Sequence, residues 1–280
     1  MKFAINNLLW TVIITPDKLD ILDKAKDMGF DGIEITMFDL DAMDMDATVK
    51  ALERTGLTPM GCSVITPDAN PISPDPDVRK AAVQFLCDRI DVMKAWGGTC
   101  IGGPNFGPLG DLPGRGRTEE EFNWCVDTLK RVAEHAERQG VTLALEPINR
   151  FETYIFNTVE DVLKLCNAVG SPNIKVHIDT FHANIEEKDT AAAIRAAGSK
   201  LGHFHISESD RGVPGTGQVH WDDTFAALKE VGYDGWLAIE SFGMAMEEIK
   251  AAAAIWRQLA PSDDAIAIDG LAFMKRMAAK

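Results

Sequence analysis

The chain has 280 residues, 46% hydrophobic and 25% charged, with a formal net charge of −15 and a sequence pI near 4.8. These fractions describe a globular protein able to bury a substantial core. So acidic a chain disfavours nucleic acid and anionic membrane surfaces, since both demand a basic footprint.

Strand-like and helix-like patterns alternate from end to end. Residues 3–5 read as a first strand, and residues 8–14 are apolar but short. Thr15 then caps a helix with Pro16 in its first turn, running to about Met28 and stopped by Gly29. With no small-residue cleavage site behind the apolar run and no stretch of membrane-spanning length, neither a signal peptide nor a membrane anchor is expected. Strand two covers 32–35, a helix 46–54 closes at Gly56, and strand three covers 58–63. A long helix over 75–96 ends at Gly97 and Gly98, and strand four covers 99–102. A Gly/Pro-rich loop, 102–117, precedes a helix capped by Thr118 with acidic residues in its first turn. Strand five ends at Glu146 and is followed by a helix over 159–168. Strand six ends at Asp179 and a short helix covers 189–197. Strand seven ends at His205 and a helix covers 222–231. Strand eight ends at Glu240, and two helical stretches follow, 244–259 and 264–279. Eight strands and eight crossover helices predict an α/β fold, a single (β/α)8 TIM barrel over residues 1–280 with an extra C-terminal helix.

The five cysteines, at 62, 87, 100, 125 and 166, are odd in number and include no Cys-x-x-Cys. Neither a disulfide framework nor a zinc ribbon is indicated, and reduced thiols in a cytoplasmic protein are expected.

The last four strands carry the chemistry. Leu143, Leu145, Val176, Ile178, Phe204, Ile206, Leu237 and Ile239 occupy one phase; Ala144, Glu146, His177, Asp179, His203, His205, Ala238 and Glu240 occupy the other. Successive strand residues point to opposite faces, so the first set packs under helices and the second converges on the barrel axis. Taken singly, a Glu or His at a strand end is an ordinary surface or structural residue. Four together, facing inward, would carry a large desolvation cost that a cation relieves. Three carboxylates and one imidazole suit an octahedral divalent ion, Mn²⁺ first and then Co²⁺ or Mg²⁺; zinc would recruit more His or Cys. His177 and His203 lie deeper and read as core or supporting residues.

Four segments resemble the signature segments of the ketose 3-epimerases. They are Leu-Glu-Pro-Ile-Asn-Arg-Phe-Glu (145–152), Ile-Asp-Thr-Phe-His-Ala-Asn-Ile-Glu-Glu (178–187), Gly-His-Phe-His-Ile-Ser-Glu-Ser-Asp-Arg-Gly-Val-Pro-Gly-Thr-Gly (202–217) and Ile-Glu-Ser-Phe (239–242). This is the D-tagatose and D-psicose (allulose) 3-epimerase group within the xylose isomerase-like barrels. The resemblance implies that Glu146, Asp179, His205 and Glu240 hold the metal, and that Glu146 and Glu240 are also the catalytic acid/base pair. It implies that Glu152, His182 and Arg211 hold the O1–O2 end of a small-molecule sugar, that Cys62 and Phe242 line its pocket, and that the protein is a homo-oligomer, dimer or tetramer.

The chemistry is coherent on its own terms. Epimerising the carbon beside a ketone removes a proton from one face and returns one to the other, which needs two acid/base groups on opposite sides. Glu146 and Glu240 sit roughly across the barrel mouth, and His182 and Arg211 are donors suited to the charge that develops. The chain departs from the family where it reads the distal carbons. Asn6 and Asn7 stand where the family has an aromatic, and loop 102–117 has no Trp. Arg115 and Arg117 leave room for an anionic substrate group, and the loop is either a mobile lid or an ordered surface segment.

The expected function is therefore metal-dependent C3 epimerisation of free ketoses through a cis-enediolate. An aldose–ketose isomerase or an inosose-type dehydratase would use the same metal site. A DNA repair enzyme on a related barrel would need a basic face, and a sugar-binding protein would not need paired bases.

Overall fold

Eight parallel strands hydrogen-bond in chain order and close on themselves. They are β1 (Lys2–Asn6), β2 (Gly32–Thr36), β3 (Thr58–Cys62), β4 (Cys100–Gly102), β5 (Thr142–Leu145), β6 (Ile174–Asp179), β7 (Leu201–Ile206) and β8 (Trp236–Ile239). The computed structural model describes residues 1–243, 250–251 and 253–280. Closure is direct: β1 pairs with β8 from Lys2↔Trp236 to Ile5↔Ile239. The barrel and its C-terminal helix are as the sequence predicts.

Around the barrel lie α1 (Asp20–Asp27), α2 (Met45–Thr55), α3 (Pro76–Ala95), α4 (Glu119–Gln139), α5 (Val159–Val169), α6 (Thr180–Glu186), α7 (Thr190–Ala197), α8 (Trp221–Glu230) and α9 (Asp263–Ala279). Their ends follow local chemistry. Thr118 forms a capping box with Glu121 at the start of α4, and Gly140 closes that helix at φ 69°. α6 is not foreseen in the sequence; the Asp179 side chain caps it by accepting from Phe181 N–H. Of the helix expected over 244–259, residues 244–249 and 252 lie outside the described residues, and 253–259 run as turns and loop. Among the described residues, no helix is long and apolar enough to cross a membrane.

The outward strand residues join the helices in one large apolar core that includes Leu143, Val176, Phe204 and Leu237. Inside the barrel the side chains stack in layers. Ala4, Met60, Cys100, Ala144 and Ala238 form a small apolar floor. Above it lie Asn6, Glu34, His177 and His203, all buried. Gly102 makes room for this layer, since a Cβ there would sit 3.0 Å from His177 Nδ1. A register shift between β6 and β7 pairs Val176 with Leu201 but His177 with His203. Gly202 is thus the extra residue of a bulge. It lets Leu201 face the helices while His203 and His205 both face the axis, a re-aiming that bulges commonly perform beside functional sites.

Candidate metal centre

The four expected donors meet at the C-terminal mouth. Asp179 ends β6 and His205 is the penultimate residue of β7, whereas Glu146 and Glu240 come one residue after β5 and β8. Glu146 is anchored there by its backbone N–H, which donates to Gly103 O at 3.1 Å. His205 Nδ1 lies 3.9 Å from Glu146 Oε1, 3.6 Å from Asp179 Oδ2 and 3.4 Å from Glu240 Oε2. One ligand atom from each residue falls within 4.8 Å of the others, and all four residues are buried. Among the described residues, Glu146 Oε1 and His205 Nδ1 have no hydrogen-bond partner. Orphaned acceptors in a buried site are costly, and here they face one another. The cluster could hold a metal ion.

Electrostatics point the same way. Burial raises the Glu146 carboxyl well above its ordinary value, and the neighbouring Glu240 and Asp179 charges raise it further. Burial opposes charge on His205, but Glu34 and Glu240 outweigh it and hold the imidazole well above its usual value. The pocket therefore favours positive charge where Nδ1 points. Asp179 is held well below the carboxylate range despite burial, chiefly by Arg211.

Arg211 reaches the cluster from the loop after β7. Its Nη1 donates to Asp179 Oδ2 at 2.6 Å, Glu240 Oε2 at 3.0 Å and Ser207 Oγ at 2.9 Å. The guanidinium lies 4.1 Å from the Phe181 ring centroid and 5.0 Å from that of Phe242. Its backbone φ of 64° is one of two left-handed values at non-glycine residues among those described. Such strain collects at functional sites.

His182 lies on α6, buried, and its Nδ1 accepts from the Asn149 backbone N–H at 3.1 Å. The ring proton therefore belongs on Nε2, and the 3.3 Å approach of Arg211 Nη2 to that nitrogen brings two donors side by side. Burial and the Arg211 charge pull the His182 imidazole down to about 3, so it stays neutral. Glu152 accepts from Asn149 Nδ2 at 2.6 Å and caps no helix. Burial raises its carboxyl. Cys62 is buried, and burial, with Glu34 and Glu240 next, raises its thiol well above the ordinary value. It is a neutral wall.

Glu146, Glu152, His182, Arg211, Glu240, Cys62 and Phe242 all border one cavity of about 380 Å³, walled otherwise by apolar residues such as Leu8, Phe38, Ile65, Leu109 and Ile148. Arg115 and Arg117 are not among its lining residues. Arg115 makes a bidentate pair with Glu121, at 2.9 and 2.7 Å. Arg117 packs over the Phe122 and Phe156 rings. Phe106 is fully buried, edge-on to Phe156 at 5.0 Å. Of the long loop, Pro104 and Leu109 are the two described residues that line the cavity.

Beneath the cluster sits a residue the sequence reading passes over. Glu34 Oε2 lies 2.7 Å from His205 Nε2, Oε1 lies 2.9 Å from His203 Nε2, and Asn6 Nδ2 donates to Oε2 at 2.8 Å. Its signal was available. Ile33 and Ile35 take the outward phase of β2, which leaves Glu34 inward by the same alternation that marks the other donors.

Residues 22–277 match the family model described as xylose isomerase-like TIM barrel. The chain is 33% identical over 276 residues to a probable ketose 3-epimerase of Synechocystis sp., covering 99% of this chain and 96% of that one. It is 35% identical over 250 residues to an L-ribulose 3-epimerase of Methylomonas sp., covering 89% and 87%. The crystal structure of a Methylomonas D-allulose 3-epimerase in complex with D-allulose superposes with a TM-score of 0.94 at 31% identity, covering 99% of this chain and 97% of that one. On this similarity and this site, the chain belongs to the ketose 3-epimerase family of xylose isomerase-like barrels and is an isomerase of that class.

Proposed function

We propose that the protein interconverts free ketoses at C3 by deprotonation and reprotonation through a cis-enediolate. In this proposal Glu146, Asp179, His205 and Glu240 hold a divalent cation, Mn²⁺ first and Co²⁺ or Mg²⁺ next, because an oxygen-rich donor set suits hard ions. The observation that carries the proposal is the convergence of Glu146 and Glu240, from β5 and β8, on one cavity. A two-faced proton transfer needs such a pair.

When bound, the cation supplies Lewis acidity that lowers the cost of negative charge on the sugar oxygens. The chain's own residues do the rest. One glutamate takes the C3 proton and the other returns one to the opposite face. The elevated proton affinity of Glu146 suits a group that must both accept and donate near neutral pH. Arg211 and the His182 Nε2–H are fixed donors beside the carboxylates, placed to bind the O1–O2 end and stabilise the developing oxyanion. Glu152, oriented by Asn149, accepts from a sugar hydroxyl. Phe181, Phe242 and Ile148 keep water from the reacting carbons.

The substrate is an uncharged ketose. Among the described residues that line the cavity, Arg211 is the only Arg or Lys, and two carboxylates engage it. The homo-oligomer and the cytoplasmic location belong to the same proposal. Exposed Phe151 and Trp256 offer apolar surface for the first, and five free cysteines suit the second.

The test is product analysis with a panel of free ketoses before and after chelation. The expected result is C3 epimers from free ketoses, loss of turnover on chelation, and recovery with Mn²⁺ or Co²⁺. Full activity in a verified metal-free preparation, or aldose products, overturns the proposal.

A further inference from the structure

The reaction as proposed gives the buried carboxylate of Glu34 no task. Glu34 is fully buried and does not line the cavity, so it cannot touch a sugar. It does touch two imidazoles, with Oε2 2.7 Å from His205 Nε2 and Oε1 2.9 Å from His203 Nε2.

A neutral imidazole carries one N–H, and a carboxylate only accepts. In the neutral ring that binds a cation, the His205 proton must therefore lie on Nε2, which leaves the Nδ1 lone pair facing Glu146, Asp179 and Glu240. The opposite tautomer would place an N–H among the three carboxylates and close the lone pair to a cation. His203 follows the same logic, donating from Nε2 while its Nδ1 has no partner among the described residues. Asn6 Nδ2 holds Oε2 from a third direction at 2.8 Å. Residues on β1, β2 and β7 thus fix one carboxylate directly under one ring.

We propose that Glu34 is a positioning residue. By accepting the Nε2–H of His205 it sets that ring's tautomer and orientation so that Nδ1 binds a divalent cation, and Asn6 and His203 hold Glu34 in register. This assignment rests on the metal reading of Glu146, Asp179, His205 and Glu240. A carboxylate behind a metal-binding histidine raises the ring's basicity as well as aiming it, and losing such a partner typically weakens metal binding by 10–100-fold.

The variant to make is Glu34→Gln. Its amide oxygen can still accept from His205, and its NH₂ group then faces His203, whose unpartnered Nδ1 can take up the proton instead. Shape is kept and the charge removed. Mn²⁺ affinity is read from the free-ion electron paramagnetic resonance signal, with circular dichroism to verify the fold. The expected result is binding weakened by roughly 10–100-fold in a folded variant. A merely space-filling role would lower stability and leave affinity alone, so a folded Glu34→Leu protein, which offers His205 Nε2–H no acceptor at this position, with wild-type Mn²⁺ affinity overturns the proposal. If the variant does not fold, the wild type decides, through long-range ¹H–¹⁵N spectra of histidine-labelled protein loaded with diamagnetic Zn²⁺. A proton on His205 Nε2 with Zn²⁺ on Nδ1 supports the assignment; Zn²⁺ on Nε2 overturns it. Wild type that binds no Mn²⁺ removes the metal reading itself, an outcome distinct from normal wild-type binding with an unaffected variant.

Discussion

Replacing Arg211 with Met tests whether the mouth of the barrel is organised around charge balance. Arg211 is buried and donates to both Asp179 and Glu240, while its guanidinium is packed between Phe181 and Phe242. Met keeps a long side chain in that slot and keeps the left-handed backbone strain, which Gly would relieve and so mask the effect. What disappears is the positive charge. Removing one partner of a buried ion pair costs about 3–5 kcal/mol. At roughly 2 °C per kcal/mol for a chain of this size, the metal-free melting temperature should fall by about 6–10 °C. A divalent cation would bring positive charge to the same two carboxylates, so saturating Mn²⁺ should recover much of the loss. Differential scanning calorimetry on chelated and Mn²⁺-loaded samples of both proteins gives four melting temperatures. The gap between loaded and metal-free states should be wider in Arg211→Met than in wild type. An equal fall in both states, or none, refutes the charge-balance reasoning and leaves Arg211 a packing residue.

Glu146→Gln and Glu240→Gln should each lower epimerisation by roughly 10²–10⁴-fold, the usual contribution of a positioned acid or base. In D₂O each should wash out the C3 hydrogen from only one of the two sugar epimers. Metal content must be measured beside activity, and a variant that keeps both metal and near wild-type turnover is not a base. The raised proton affinity of Glu146, caused first by burial and then by Glu240, means protons compete with the cation at neutral pH. Mn²⁺ affinity should therefore rise with pH and fall as the solution is acidified; titrations at several pH values that give one constant affinity contradict this. Leu109→Ala, at the cavity wall, should reorder the preferred ketoses while leaving Mn²⁺ affinity alone, and an equal loss on every sugar would point to misfolding instead.

The barrel was legible because two periodicities survive translation into sequence. Strands five to eight alternate cleanly, and their helices start and stop at Thr, Asp and Gly caps. The same alternation placed Glu146, Asp179, His205 and Glu240 together without any structure. The alternation failed where chemistry, rather than pattern, decides. Gly202 is a bulge residue, and a lone glycine within a strand hints at one without showing how the register shifts. Glu34, by contrast, was within reach of the alternation, since Ile33 and Ile35 take the outward phase of β2, but its two histidine partners lie on a strand far along the chain. Arg115 and Arg117 read as free cations beside the pocket because their partners, Glu121 and the Phe122 and Phe156 rings, lie on elements whose packing the sequence does not reveal.

Closure of the barrel has a consequence for how the protein comes into being. The β1–β8 seam joins Lys2 to Trp236 and Ile5 to Ile239, contacts that span nearly the whole chain described. Long-range pairing of this kind slows folding, because loop entropy is lost before contacts repay it. Synthesis runs from the N-terminus, so Glu34 and Asn6 leave the ribosome long before the imidazole they support, and Glu240 emerges last of the four donors. Through most of translation, Glu34 is a carboxylate bound for the interior whose histidines are still to come. The donor cluster is therefore a late product of the nascent chain, and a cation captured at that moment would tie β8 to β5, β6 and β7.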